Sequence, residues 1–151
     1  MAVLDDAGRS PLHCAALTDD VESARELLAA GADSDLPDRR RFTPLHFAAQ
    51  ANAEAVARLL LDHAAKGHPV DSFGNTPLFT AVFNSKGSGN IIALLRQCGA
   101  DAFHASTKLG LARLIDNYDV ARFFSDLPLP LWESPAKSTL LLAMRPFELL
   151  V

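Results

Sequence analysis

Very little in this sequence suits disulfide, metal or redox chemistry. Two cysteines occur in 151 residues, Cys14 and Cys98, too few for the cross-linked framework of a small secreted domain. Positive charge is not in excess: 14 Lys and Arg face 18 Asp and Glu, a formal net charge of −4. The overall basic field that grasps nucleic acid is therefore missing. The longest apolar runs, such as LLLDHAA and LLLAM, are far too short to span a bilayer. The opening MAVLDDAGRS has neither a basic n-region nor an apolar h-region, so no secretion signal is expected. No GxSxG, P-loop or GxGxxG pattern occurs; GNTPLF and KGSGN contain glycine but do not follow a strand in a βαβ context. His63, His68 and His104 show no HxxxH or HxH spacing, and a pair five apart across a helix end makes a poor metal site. Acidic residues are scattered, and Asp5, Asp6, Asp19, Asp20, Asp116 and Asp119 read as caps and solvated faces. The expectation is a chain with no catalytic residues, no cofactor and no metal, in a reducing cytoplasmic setting, binding neither nucleic acid nor membrane.

What the sequence does have is a repeat. Apolar residues make up 49% of the chain, enough for a sizeable core. GRSPLHCAAL, RFTPLHFAAQ and GNTPLFTAVF follow one another at a spacing of 33 residues, fixed by Pro11, Pro44 and Pro77. Ser10, Thr43 and Thr76 before these prolines suit helix N-caps, and proline at the first helical position loses no hydrogen bond the helix needs. The small pairs Ala15-Ala16, Ala48-Ala49 and Ala81-Val82 let a second helix approach closely. That helix reads VESARELLAA, AEAVARLLLDHA and NIIALLRQC in the successive units. Gly31 and Gly99 then suit a left-handed C-terminal position, and Gly8 and Gly74 suit tight turns in the polar connectors. One such unit cannot bury both of its helices, so stacking is required.

The SPLHCAA, TPLHFAA and GNTPLFTAV motifs, with GAD at 31–33 and at 99–101, resemble the ankyrin repeat family, whose period is this one. The resemblance covers roughly residues 4–126. It implies an all-α repeat solenoid of about four repeats with hairpin-like connectors, in units of about 4–36, 37–69, 70–104 and 105–126. In that family the histidine at positions 13 and 46 typically hydrogen-bonds the preceding Ser or Thr and the neighbouring connector. Cys14, in the slot of Phe47 and Thr80, is expected to pack, and Cys98 to be half-buried filler.

The pattern breaks in five places. Ala64 stands where Gly31 and Gly99 are found, which should cost local stability. Arg41 stands where Gly8 and Gly74 are found, and Phe79 replaces the histidine. Two extra residues within FNSKGSGN predict a protruding flexible loop. The fourth unit, with LARLI and YDVARFF but no TPLH start, reads as degenerate and terminal. Residues 127–151 open on the Pro-rich LPLPLWESP and close on an apolar segment, AKSTLLLAM onward. That segment either folds back to cap the last repeat, or engages a partner or another copy, or stays unstructured.

Ankyrin architecture implies protein–protein recognition, by analogy of fold. The candidate surface is the connector tips and the exposed side of the first helices: Arg39, Arg40, Arg41, Phe42, Gln50, Ser72, Phe73, Asn75, Phe83, Asn84 and Lys86. Exposed arginine and aromatic residues together mark interface anchors; the competing readings are a solvated Arg run and phenylalanines that pack between hairpins. The third unit and LARLIDNYDVARFF look like small stand-alone bacterial ankyrin proteins encoded beside polymorphic or contact-dependent toxins. This narrower resemblance implies an immunity protein, monomeric alone, that occludes a cognate toxin domain; the alternative is a scaffold, adaptor or effector with other protein partners.

Overall fold

The computed structural model describes residues 3–85 and 88–100. Within them the chain forms α1 (Pro11–Thr18), α2 (Val21–Ala29), α3 (Pro44–Ala51), α4 (Glu54–Asp62), α5 (Pro77–Asn84) and α6 (Asn90–Gln97). Ser10, Thr43 and Thr76 are the extended N-cap residues of α1, α3 and α5, each followed by its proline. Among the described residues there is no strand. The degenerate fourth unit, the tail at 127–151, Gly87 and His104 lie outside the described residues.

The helices form two layers. α1 packs on α3 and α3 on α5; α2 packs on α4 and α4 on α6; each first helix also packs on the second helix of its own unit. The alanines make this possible. Ala16, Ala48 and Ala49 are at most 1% exposed, and a larger side chain there would force the layers apart. Leu12, Leu45 and Leu78 repeat one buried position along the first layer, while Val56, Leu60, Ile91, Ile92 and Leu95 fill the space beneath it. The result is an all-α repeat solenoid with one continuous core.

The cysteines depart from expectation. Both Cys14 and Cys98 are exposed. Cys14 does share the slot of Phe47, but that slot faces the preceding unit. Phe47 meets the His13 ring edge-on at 5.4 Å, whereas among the described residues no unit precedes α1. Cys98 follows the last residue of α6, on a helix end turned to solvent rather than to the core.

The second helices end alike. The N–H groups of Ala32, Ala65 and Ala100 reach back five residues to the carbonyls of Leu27, Leu60 and Leu95, at 2.9 to 3.0 Å. This closure needs a left-handed residue just before, which is Gly31 at φ +88°, Ala64 at +64° and Gly99 at +83°. Ala64 therefore carries the cost that its two glycine counterparts avoid. Ala64→Gly is expected to stabilise the chain by about 0.5–1 kcal/mol, once the larger freedom of glycine in the unfolded chain is deducted. A higher urea midpoint with unchanged slope would confirm it, and an unchanged or lower midpoint would show that the strain is relieved elsewhere.

Candidate partner-binding surface

The connectors are built on a repeated aspartate. Asp5, Asp38 and Asp71 stand 33 residues apart. Each points one carboxylate oxygen at the backbone N–H groups two and four residues on: Ala7 and Arg9, Arg40 and Phe42, Phe73 and Asn75, at 2.7 to 2.9 Å. Each turn also closes with its own backbone bonds, such as Asp38 N–H to the Phe42 carbonyl at 2.8 Å. Asp71 is buried. Asp5 is exposed, and its carboxyl is held below the usual carboxylate range, chiefly by the Arg9 backbone N–H. The Arg9 guanidinium adds an ion pair at 2.7 Å. The sequence alone reads Asp5 as a cap or a solvated face; the 33-residue spacing it shares with Asp38 and Asp71 is the signal that marks all three as turn anchors.

These turns are tied into a row. The Arg39 N–H donates to the Ala7 carbonyl at 3.0 Å and the Ser72 N–H to the Arg40 carbonyl at 2.9 Å. The tips thus align Asp6, Arg39 and Ser72, then Ala7, Arg40 and Phe73, then Gly8, Arg41 and Gly74. Histidines fasten the row to the helices. His13 Nδ1 accepts the Ser10 N–H at 3.0 Å, and its Nε2 lies 3.1 Å from the Phe42 carbonyl in the next connector. His46 repeats this with the Thr43 N–H and the Asn75 carbonyl, both at 3.1 Å. Since Nδ1 accepts a backbone N–H, the proton sits on Nε2 and the ring is neutral. Burial lowers the pKa of both rings.

On this frame the candidate residues separate. Arg39, Arg40, Arg41, Gln50, Ser72, Phe73 and Phe83 are exposed, Phe73 by 68% and Phe83 by 55%. Phe42, Asn75 and Asn84 are partly buried and engaged in the frame. Phe42 packs edge-on against His46 and Phe47. The Asn75 side chain donates to Asp71, and that of Asn84 to the Thr80 carbonyl. Lys86 lies outside the described residues. Leu17 is one residue the sequence reading missed. It is 42% exposed and, with Gln50 and Phe83, repeats one position of the first helices at the 33-residue spacing. Phe83 stacks on Phe79 at 6.4 Å, the residue that stands in the histidine slot.

Two ion pairs join described residues, Arg9–Asp5 and Arg58–Glu54. The three tip arginines are in neither. Among the described residues no group of three His, Cys, Asp or Glu could hold a metal ion, and no helix is long and apolar enough to cross a membrane.

Comparison with known proteins identifies the repeat. The family model for ankyrin repeats in three copies matches residues 12–105. Serine/threonine-protein kinase 12 of Arabidopsis thaliana is 33% identical over 101 residues, covering 67% of this chain and 22% of the kinase. The transient receptor potential cation channel subfamily A member 1 of Homo sapiens is 40% identical over 60 residues, covering 40% of this chain and 5% of the channel. NF-kappa-B inhibitor alpha of Gallus gallus is 39% identical over 64 residues, covering 42% of this chain and 20% of the inhibitor. The chain therefore matches less than a quarter of the length of each of these relatives.

Proposed function

This chain belongs to the ankyrin repeat family, and from that premise we propose that it is a protein-binding module whose work is done by the tip row and the exposed row of the first helices. The observation that carries this reading is that Phe73 and Phe83, two large apolar side chains, are left mostly exposed on a frame tied together by backbone hydrogen bonds between its connectors. A surface fixed in this way loses little entropy on docking, and exposed aromatics beside arginine are the usual anchors of an interface.

The narrower reading is neutralisation by occlusion, as in an immunity protein covering a cognate toxin domain. It is supported by the likeness of the third and fourth units to small toxin-associated ankyrin proteins. One relative, NF-kappa-B inhibitor alpha, is itself named as an inhibitor of another protein. The adaptor reading is favoured by a different observation: the relatives are far longer than the matched segment, so such repeats also serve as parts of larger proteins.

Pull-down of the tagged chain from its own host, in parallel with Phe73→Asp/Phe83→Asp, tests the module. One stoichiometric partner should be retained by the natural chain, with affinity for the variant lower by about tenfold or more. Equal retention by the two would overturn the surface. Loss of the partner's own toxic activity at a one-to-one ratio supports immunity, whereas several substoichiometric partners support the adaptor.

A further inference from the structure

We infer that the Arg39–Arg41 turn is a docking point for an acidic segment of the protein partner; this rests on the protein-binding reading and names the partner's chemistry. The first observation is electrostatic. Arg39, Arg40 and Arg41 are all exposed, and no described side chain pairs with any of them. The one carboxylate within the turn, Asp38, already accepts the Arg40 and Phe42 N–H groups at 2.8 Å. In the next connector Asp71 is buried and bonded to its own turn, so the arginines meet the uncharged Ser72 and Phe73 on that side. On the other side the row sets the exposed Asp6 against Arg39, and Arg40 and Arg41 line up with Ala7 and Gly8.

The second observation is independent of charge. Arg41 sits at φ +64°, in the left-handed region that Gly8 and Gly74 occupy at +78° and +81° in the flanking turns. A long L side chain is disfavoured there. The turn's own bonds hold this conformation, but they would hold it equally with glycine, and the Arg41 guanidinium has no partner among the described residues. Strain held at an exposed charge points outward, to a ligand.

The rest of the molecule selects the ligand class. With the whole chain at −4, a nucleic acid laid along the surface would run from the arginines into net negative charge. A short acidic peptide stretch engages only the turn, within about one Debye length of 8–10 Å. Arginine pairs carboxylates bidentately, and the apolar Phe73 one turn along offers a contact for a hydrophobic residue next to the acids.

Fluorescence anisotropy tests this with three labelled probes: a short Glu-rich peptide containing leucine, its Gln counterpart, and a single-stranded oligonucleotide of equal charge. The Glu peptide should bind at low salt, weaken as salt rises, and lose about tenfold in affinity with Arg39→Gln/Arg40→Gln/Arg41→Gly. Arg41→Gly alone should weaken binding while raising Tm, so that the loss cannot be laid to unfolding. Equal binding of the Gln peptide, tighter binding of the oligonucleotide, or full affinity in the triple variant would each overturn the inference. If a stoichiometric partner is captured equally well by the triple variant but is lost with Phe73→Asp/Phe83→Asp, this inference fails while the module stands. If no variant alters capture, the module's surface fails with it.

Discussion

Leu60→Ala should be the most damaging truncation in the described core, costing about 3–4 kcal/mol. Leu60 is fully buried, lies on α4 in the middle unit, and has packed helices on both sides, α2 and α6. A cavity there cannot readily close, because the neighbouring units are already in close contact through their alanines and fixed in spacing by the tip bonds. The position recurs 33 residues earlier at Leu27, which is only partly buried. Leu27→Ala should cost about 1–2 kcal/mol, since part of that side chain already meets water. For a domain of this size the Leu60 loss corresponds to a fall in Tm on the order of 15 °C. Thermal and urea unfolding of the two variants decide the matter. Equal losses would mean that the outer side of the first unit is covered in solution, as it is not by the described residues.

Most of the frame was legible because it is written in residues with strong local consequences. Pro11, Pro44 and Pro77 behind a hydroxyl residue can hardly be anything but helix starts, and their spacing announced the stack before any packing was considered. The left-handed positions at 8, 31, 74 and 99 were legible for the same reason, and so was the anomaly at Ala64. Burial was less so. Cys14 was expected to pack because its slot holds Phe47 in the next unit, but a repeat position faces a neighbour only where a neighbour exists. Cys98 failed similarly, since closeness to a helix end says nothing about which way that end turns. The surface was the least legible part. Phe42 and Phe73 stand in adjacent connectors and look alike in sequence. Yet Phe42 packs against His46 and Phe47, while Phe73 faces solvent. Phe42 shares its repeat position with Arg9 and Asn75, whereas Phe73 shares its position with Ala7 and Arg40, at the tip itself. Reading the connectors in register, with Asp5, Asp38 and Asp71 as the anchor, would have separated them.

His46→Leu should cost about 2 kcal/mol despite the similar volume, and its effect should depend on pH. The ring is fully buried. Its loss strands the Thr43 N–H and removes one of two donors from the Asn75 carbonyl, which keeps the Asp71 N–H at 3.0 Å; a buried polar group left unpaired costs about 1–3 kcal/mol. The pH dependence follows from the tautomer. Protonating Nδ1 would turn the acceptor of the Thr43 N–H into a second donor, and desolvation already lowers the ring's pKa, against the smaller opposing pull of the Asn75 carbonyl and the Asp71 and Asp38 carboxylates. The unfolded histidine titrates near about 6.5, above the folded one. Between the two values the unfolded chain binds the extra proton. Stability is therefore full above the unfolded pKa and falls as pH drops below it, at up to about 1.4 kcal/mol per pH unit for each such histidine. The fall ends below the folded pKa. His13 is buried in the same geometry with its pKa shifted the same way, so the two contribute together. Urea midpoints from pH 7.5 downward, taken as ~7.5 to ~5 to bracket the imidazole range, should slope in the natural chain and slope less in His46→Leu. An unchanged slope would mean that the His46 ring takes up its proton without losing its bonds. The third unit carries the internal control: Phe79 occupies the histidine slot and cannot titrate, so Phe79→Leu should alter stability without altering the slope.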